Sequence, residues 1–213
     1  MEITGIILAG GKNLRFGANK ALVKIGRKTV IERIVEQLKP IANRFIVVMS
    51  GEQFLLPALP PHQVVSDVLP GKGPLVGIYS GLSASQTELN VAVACDMPFL
   101  STALLRHMVE IAPGFDAVIP RTGDGLIEPL HAVYAHTCLP VIKAHLDADH
   151  FNIRSFLGEV KVRYVEEEEC RRYDPVLLSF FNLNCPEDLE LALRMEQDLG
   201  FAGDMHGDAV RWE

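Results

Sequence analysis

The stretch ITGIILAGGKNLRFGANK, residues 3–20, decides the fold. Ile3 to Ala9 is short, rich in β-branched residues and followed directly by Gly10 and Gly11. A continuous apolar run of that length bounded by glycines reads as a strand buried on both faces. The strand empties into a loop with glycines at 10, 11 and 17 and cations at Lys12, Arg15 and Lys20. Glycine lets backbone approach a ligand and present its N–H groups. Several cations on one such loop suit a polyphosphate. The spacing matches neither G-x-x-x-x-G-K-[ST] nor G-x-G-x-x-G. A plain glycine turn with solvated lysines is the competing reading.

Working outward, short apolar runs alternate with amphipathic ones. Val30, Ile31, Ile34, Val35 and Leu38 keep the 3.6-residue period of a helix, which Pro40 ends. Strands are expected at Phe45–Met49, Val91–Cys95, Ala117–Pro120, Leu130–Tyr134, Lys161–Val165 and Phe180–Leu183. Helices are expected at Leu75–Ala84, Ser101–Ile111, Pro140–Leu146 and Pro186–Gln197. Glu166 to Glu169 reads as a solvated loop or strand end. The alternation implies an α/β fold, a mostly parallel sheet with helices on both faces. We expect a single domain over residues 1–199 and a partly disordered tail over 200–213.

The 213 residues carry a formal net charge of −7, which argues against a nucleic-acid backbone as partner. Any anionic substrate must then meet positive charge concentrated in one pocket. The four cysteines form no CxxC pair, and no zinc pattern fits their spacing. Free thiols suit the reducing cytoplasm. Neither a signal peptide nor an apolar run of membrane-spanning length is visible. The seven histidines lack metal-ligand spacing, and no nucleophile motif such as G-x-S-x-G occurs.

In parallel sheets, ligands bind outside the carboxyl ends of the strands. Gly10, Gly11 and Asp96 should therefore meet at one edge. Asp96 follows the strand Val91–Cys95 directly, and a carboxylate there suits Mg²⁺, which takes one or two carboxylates plus substrate phosphates. Its bland alternative is a turn cap before Pro98. Asp67 either accepts hydrogen bonds from a ribose or base or caps its own turn. The Gly/Pro loop that follows it, through Gly73, leads into a helix whose N-terminus can meet an anion or a polar base. Asn182 and Asn184 alternate along the expected last strand, and both donate and accept, which suits a heteroaromatic substrate. The competing reading is that they only close a turn.

These features in order make the sequence resemble the molybdenum cofactor guanylyltransferase family, the MobA-like nucleotidyltransferases. The residues that carry the resemblance are LAGGKNLRFGANK (8–20), DVLPGKGPLVGIYSGL (67–82), CDMPFL (95–100), EPLHAVY (128–134) and FNLNCPEDL (181–189). Asn13 and Phe16 stand where the family usually has Ser and Met. Met49-Ser50-Gly51 stands where it often has a nucleotide-contacting asparagine.

The resemblance implies a Rossmann-like nucleotidyltransferase fold. It also implies Mg²⁺-dependent transfer of GMP from GTP to the phosphate of molybdopterin, bound as molybdenum cofactor, with release of pyrophosphate. It implies that Leu8, Ala9, Gly10 and Gly11 line the nucleotide and that Asp67 and Gly73 contact it. Lys20 would hold the transferring phosphate, Arg15 the β- and γ-phosphates, and Asp96 the Mg²⁺. Asn182 and Asn184 would lie near the pterin. Transient contact with cofactor-synthesis proteins and molybdoenzyme apoproteins would follow from handing on a labile product.

Leu8-Ala9-Gly10-Gly11, where cytidylyl relatives tend to carry L-A-A-G, favours GTP over CTP. The competing readings are a cytidylyl- or sugar-phosphate nucleotidyltransferase, a nucleotide-binding partner protein without turnover, and a dehydrogenase on a dinucleotide fold.

Overall fold

A computed structural model describes residues 1–10, 19–50, 54–123 and 125–204. The expected strand after Met1 is β1 (Ile3–Leu8), buried at every position. A β-hairpin too short to register in the sequence pattern follows, β2 (Lys24–Ile25) and β3 (Lys28–Thr29). Then comes α1 (Val30–Leu38), started by a capping box. Thr29 Oγ1 accepts from the Glu32 N–H while the Glu32 carboxylate takes the Thr29 N–H at 2.7 Å. The Thr29 hydroxyl, donating to the Glu32 carboxylate at 2.6 Å, and the Thr29 N–H together hold that carboxyl below the usual range.

β4 (Arg44–Met49), β5 (Gln63–Ser66), α2 (Pro74–Ala84) and β6 (Leu89–Ala94) complete the first half. The second half holds α3 (Thr102–Glu110), β7 (Ala117–Arg121), β8 (His131–Ala135), α4 (Cys138–Asp147), α5 (Ile153–Leu157), β9 (Val162–Glu166), α6 (Glu167–Arg171) and α7 (Pro186–Asp204).

Seven strands form one sheet in the order β5-β4-β1-β6-β8-β7-β9. All neighbours run parallel except β8, which is antiparallel to both β6 and β7. The chain runs outward from β1 through β4 to β5, then returns over the sheet along α2 to β6 on the other side of β1. That reversal opens a crevice at the carboxyl ends of the central strands.

Two apolar layers cover the sheet. On one face Ile7, Val47, Val93 and Val133 pack with Ile31, Ile34 and Leu38 of α1 and Leu104, Leu105 and Met108 of α3. On the other, Ile6, Val48, Ala92 and Tyr134 pack with Leu75, Ile78 and Leu82 of α2 and Ile142 and Leu146 of α4. α2 lies close on β1 because it presents glycines. A Cβ at Gly81 would collide with Ile6 Cγ2, and one at Gly77 would stand 3.3 Å from Leu8 Cδ2. Among the described residues no helix is long and apolar enough to cross a membrane.

β5 and α5 have no counterpart among the expected elements, and three expected segments differ in the structure. Phe180–Leu183 is not a strand: Leu178–Phe180 is a 3-10 turn, and the following residues run alongside the sheet without joining it. Their alternation comes from packing, since Phe181 and Leu183 both enter the α1/α3 layer. The acidic run ends β9 at Glu166, but Glu167 to Glu169 then open α6, where acidic side chains favour the first helical turn. α7 continues to Asp204, past residue 199. Residues 205–213 lie outside the described residues.

Candidate active site

The crevice is a cleft of about 510 Å³ at the carboxyl edge of β4, β1 and β6. Strand hydrogen bonding continues past the strand ends and fixes the loops that line it. Ala9 N–H donates to Val48 O (2.8 Å), Cys95 N–H to Leu8 O (3.1 Å) and Asp67 N–H to Met49 O (2.8 Å). On the far side Ala94 N–H donates to Leu130 O at 2.9 Å. Leu8, Ala9, Gly10, Lys20, Asp67, Gly73 and Asp96, all singled out in the sequence, line this one cleft. Gly11 and Arg15 fall outside the described residues.

Gly10 touches the end of β4 so closely that a Cβ there would collide with Ser50 Cβ. Glycine at this position is therefore a matter of space. Ser50 in turn accepts the Gly71 N–H on its Oγ at 3.3 Å. Gly71 and Gly73 adopt φ of +81° and +109°, values an L side chain rarely takes. They let the loop turn back and open α2 at Pro74, a favoured first helical residue. Asp67 is buried at one end of the cleft and accepts from Ser80 Oγ of α2 at 3.3 Å.

At the other end Lys20 Nζ stands 3.1 Å from Asp96 Oδ2 and 3.4 Å from Asn184 Oδ1. Asn19 orients Lys20 by capping the 3-10 turn Lys20–Leu22, its Oδ1 taking the Ala21 N–H at 3.0 Å. Asn184 is placed by two anchors. Leu183 N–H donates to Asp96 O at 2.9 Å, and Asn184 N–H donates to Asp188 Oδ2 at 2.6 Å. The N–H donors of Asn184 and Cys185 hold the Asp188 carboxyl below its ordinary range. Neither asparagine lines the cleft itself: Asn184 meets it through Lys20, and Asn182 Nδ2 donates to Phe180 O at 3.0 Å.

Cys95, beside Asp96, is no nucleophile. Burial, reinforced by the Asp96 charge, pushes its thiol up to about 12. Among the described residues no cluster of three His, Cys, Asp or Glu side chains can hold a metal by itself. Asp96 offers one carboxylate at the cleft, a donor set that fits a hard cation completed by phosphates and water.

Sequence reasoning missed Asn19, Ser50, Gly71 and Leu130 as lining residues. The sheet-edge rule would have found Ser50, which directly follows β4. Leu130 was not accessible that way, because it enters an antiparallel strand.

A parallel-centred α/β sheet, a glycine-lined crevice at its switch point and a lysine–aspartate pair at one end define a nucleotidyltransferase. The chain belongs to the family of the MobA-like NTP transferase domain, whose family model matches residues 5–165. It is 38% identical over 201 residues to a probable molybdenum cofactor guanylyltransferase of Pelotomaculum thermopropionicum, covering 93% of this chain and 95% of the relative. It is 37% identical to a molybdenum cofactor guanylyltransferase of Desulfosudis oleivorans, covering 89% and 94%. Among solved structures, molybdopterin-guanine dinucleotide biosynthesis protein A from Archaeoglobus fulgidus superposes with a TM-score of 0.76 at 27% identity, covering 92% and 99%.

Proposed function

We propose that this protein transfers GMP from GTP to the terminal phosphate of molybdopterin, carried as molybdenum cofactor, releasing pyrophosphate. The observation that carries the reading is the Lys20–Asp96 pair, 3.1 Å apart at one end of a cleft whose other end holds buried Asp67. The relatives' names supply the nucleotide and acceptor.

In the reaction an oxygen of the acceptor phosphate bonds to the α-phosphorus of GTP. The bond from that phosphorus to the bridging oxygen breaks, and pyrophosphate leaves with the electron pair. The nucleophile is anionic at neutral pH, so no strong general base is needed, consistent with a buried, neutral Cys95. The barrier is the approach of two anions, and positioning and electrostatics lower it. Lys20 neutralises charge on the transferring phosphate. Gly10 brings backbone against the nucleotide, and Asp67 and Gly73 contact its nucleoside end. Asn184, held against Lys20, borders the acceptor side, with Asn182 next to it on the same segment. Mg²⁺ held by Asp96, when bound, supplies charge neutralisation across the phosphates. Arg15 on the glycine loop serves the β- and γ-phosphates. The free thiols of Cys95, Cys138, Cys170 and Cys185 support a cytoplasmic site of action. Delivery to molybdoenzyme apoproteins would be by transient contact.

The test is pyrophosphate release from GTP and from CTP, each with Mg²⁺ and molybdenum cofactor as acceptor. Acceptor-dependent release from GTP alone is expected. Release from CTP alone, or from neither, overturns the reading.

A further inference from the structure

Glu128-Pro129-Leu130-His131 links β7 to β8. It forms a tight turn, with His131 N–H donating to Glu128 O at 3.1 Å. Glu128 N–H donates to Pro120 O at 3.0 Å, and Leu130 O takes the Ala94 N–H at 2.9 Å. The turn is thus fixed to the carboxyl end of β6, two residues from Asp96, and Leu130 forms a wall of the cleft.

Glu128 is half-buried. Among the described residues its carboxylate has neither an ion pair nor a hydrogen bond, and burial raises its pKa. Two carboxylates at the neighbouring ends of β9 and α6 are engaged. Glu166 pairs with Arg121, and Glu167 accepts from the Gly123 N–H at 2.6 Å and from Arg171 at 2.9 Å. A carboxylate removed from water without donors is costly, and a ligand that brings donors relieves that cost.

The sheet order says which ligand. Across the carboxyl edge the lining residues run Asp67 after β5, Ser50 after β4, Gly10 after β1, Asp96 after β6 and Leu130 before β8. On the proposed function, a nucleotide reaching from Asp67 to Asp96 places its α-phosphate near Lys20. The acceptor then lies beyond Asp96, on the β8 side, where Glu128 stands. A pterin ring presents N3–H and its 2-amino group side by side, two donors that match the two oxygens of one carboxylate.

We propose that Glu128 binds the acceptor by accepting both donors of its pterin ring, N3–H and the 2-amino group. This assignment rests on the proposed function for its choice of acceptor. Guanine carries the same pair of donors, so the experiment must separate the two rings.

The first measurement is binding of free pterin to the wild-type protein by fluorescence quenching, compared with lumazine, which has oxygen in place of the 2-amino group. Pterin should bind at least tenfold more tightly; equal affinity overturns the proposal whatever reaction the protein catalyses. The second uses Glu128→Gln with molybdenum cofactor and GTP. The acceptor KM should rise about tenfold to hundredfold, the loss expected when a charged hydrogen-bond acceptor is replaced. GTP affinity measured without acceptor should stay at the wild-type value, and Glu128→Asp should recover part of the acceptor KM. An unchanged acceptor KM overturns the assignment. So does weaker GTP binding together with loss of preference for GTP over ITP, which would show that guanine is the ring being read. Absence of acceptor-dependent pyrophosphate release in the wild type would instead count against the proposed reaction, while the pterin and lumazine comparison would still decide the role of the site.

Discussion

Lys20 Nζ lies 3.1 Å from Asp96 Oδ2, across 76 positions of sequence, with the two side chains only 17% and 22% exposed. The contact joins the end of the glycine loop to the end of β6. It sets a cation and a carboxylate side by side on the wall of the cleft. Lys20 also reaches Asn184, so three segments converge on one ammonium group.

Lys20→Ala should lower turnover by about 10²–10³, as for loss of one electrostatic donor to a developing charge. GTP affinity should fall less than turnover if the lysine acts mainly on the transferring phosphate. Steady-state pyrophosphate release measures both. Near-normal turnover would remove Lys20 from the mechanism.

Asp96→Asn should raise the Mg²⁺ concentration needed for half-maximal activity by at least tenfold. The amide keeps an oxygen that can accept from Lys20, so the urea midpoint should remain close to that of the wild type. A Mg²⁺ titration superimposable on wild type would exclude Asp96 as the ligand.

The central strands and both ends of the Lys20–Asp96 contact were legible because buried parallel strands write continuous apolar runs, and ligand residues follow them directly. β5 was not legible. Gln63 and Ser66 flank only two valines, a Pro-rich stretch precedes them, and the strand is a largely exposed edge. Nor does apolar content encode direction: β8 reads like any buried strand, yet runs antiparallel to its neighbours. That reversal brings Leu130, at the start of β8, to the wall of the cleft. Phe181 and Leu183 produced a strand-like alternation by packing alone, so the position of Asn184 depended on backbone anchors at Asp96 and Asp188 that no pattern announces.

Gly10→Ala should raise the GTP KM and destabilise the fold by about 1–3 kcal/mol, the usual cost of forcing atoms into a packed site. The severest clash is with Ser50 Cβ, ahead of Ser50 N at 3.1 Å and Cα at 3.3 Å. The double variant Gly10→Ala/Ser50→Gly should therefore recover part of the stability, less the Gly71 N–H bond to Ser50, as read from urea midpoints. Failure of the second substitution to rescue would place the strain elsewhere in the loop.

His131 offers a test by pH. Its ring is fully buried, both nitrogens lack a hydrogen-bond partner among the described residues, and the ring lies edge-on to Phe180 with centroids 5.3 Å apart. Burial lowers its pKa from 6.5 to about 4, against a smaller upward pull from Asp174. The folded protein therefore resists protonation that the unfolded chain accepts. The contribution of neutral His131 is complete above about pH 6.5 and is lost as pH falls toward 4. Across that window the wild type should lose stability relative to His131→Phe, at a rate of up to about 1.4 kcal/mol per pH unit. Urea denaturation of both proteins at several pH values gives the difference directly and cancels the titration of Glu128 and other shared groups. A difference that stays constant from pH 7 to pH 4 would show that the imidazole gains a proton in the folded state as readily as in the unfolded one, and that a hydrogen-bond acceptor reaches it inside the sheet.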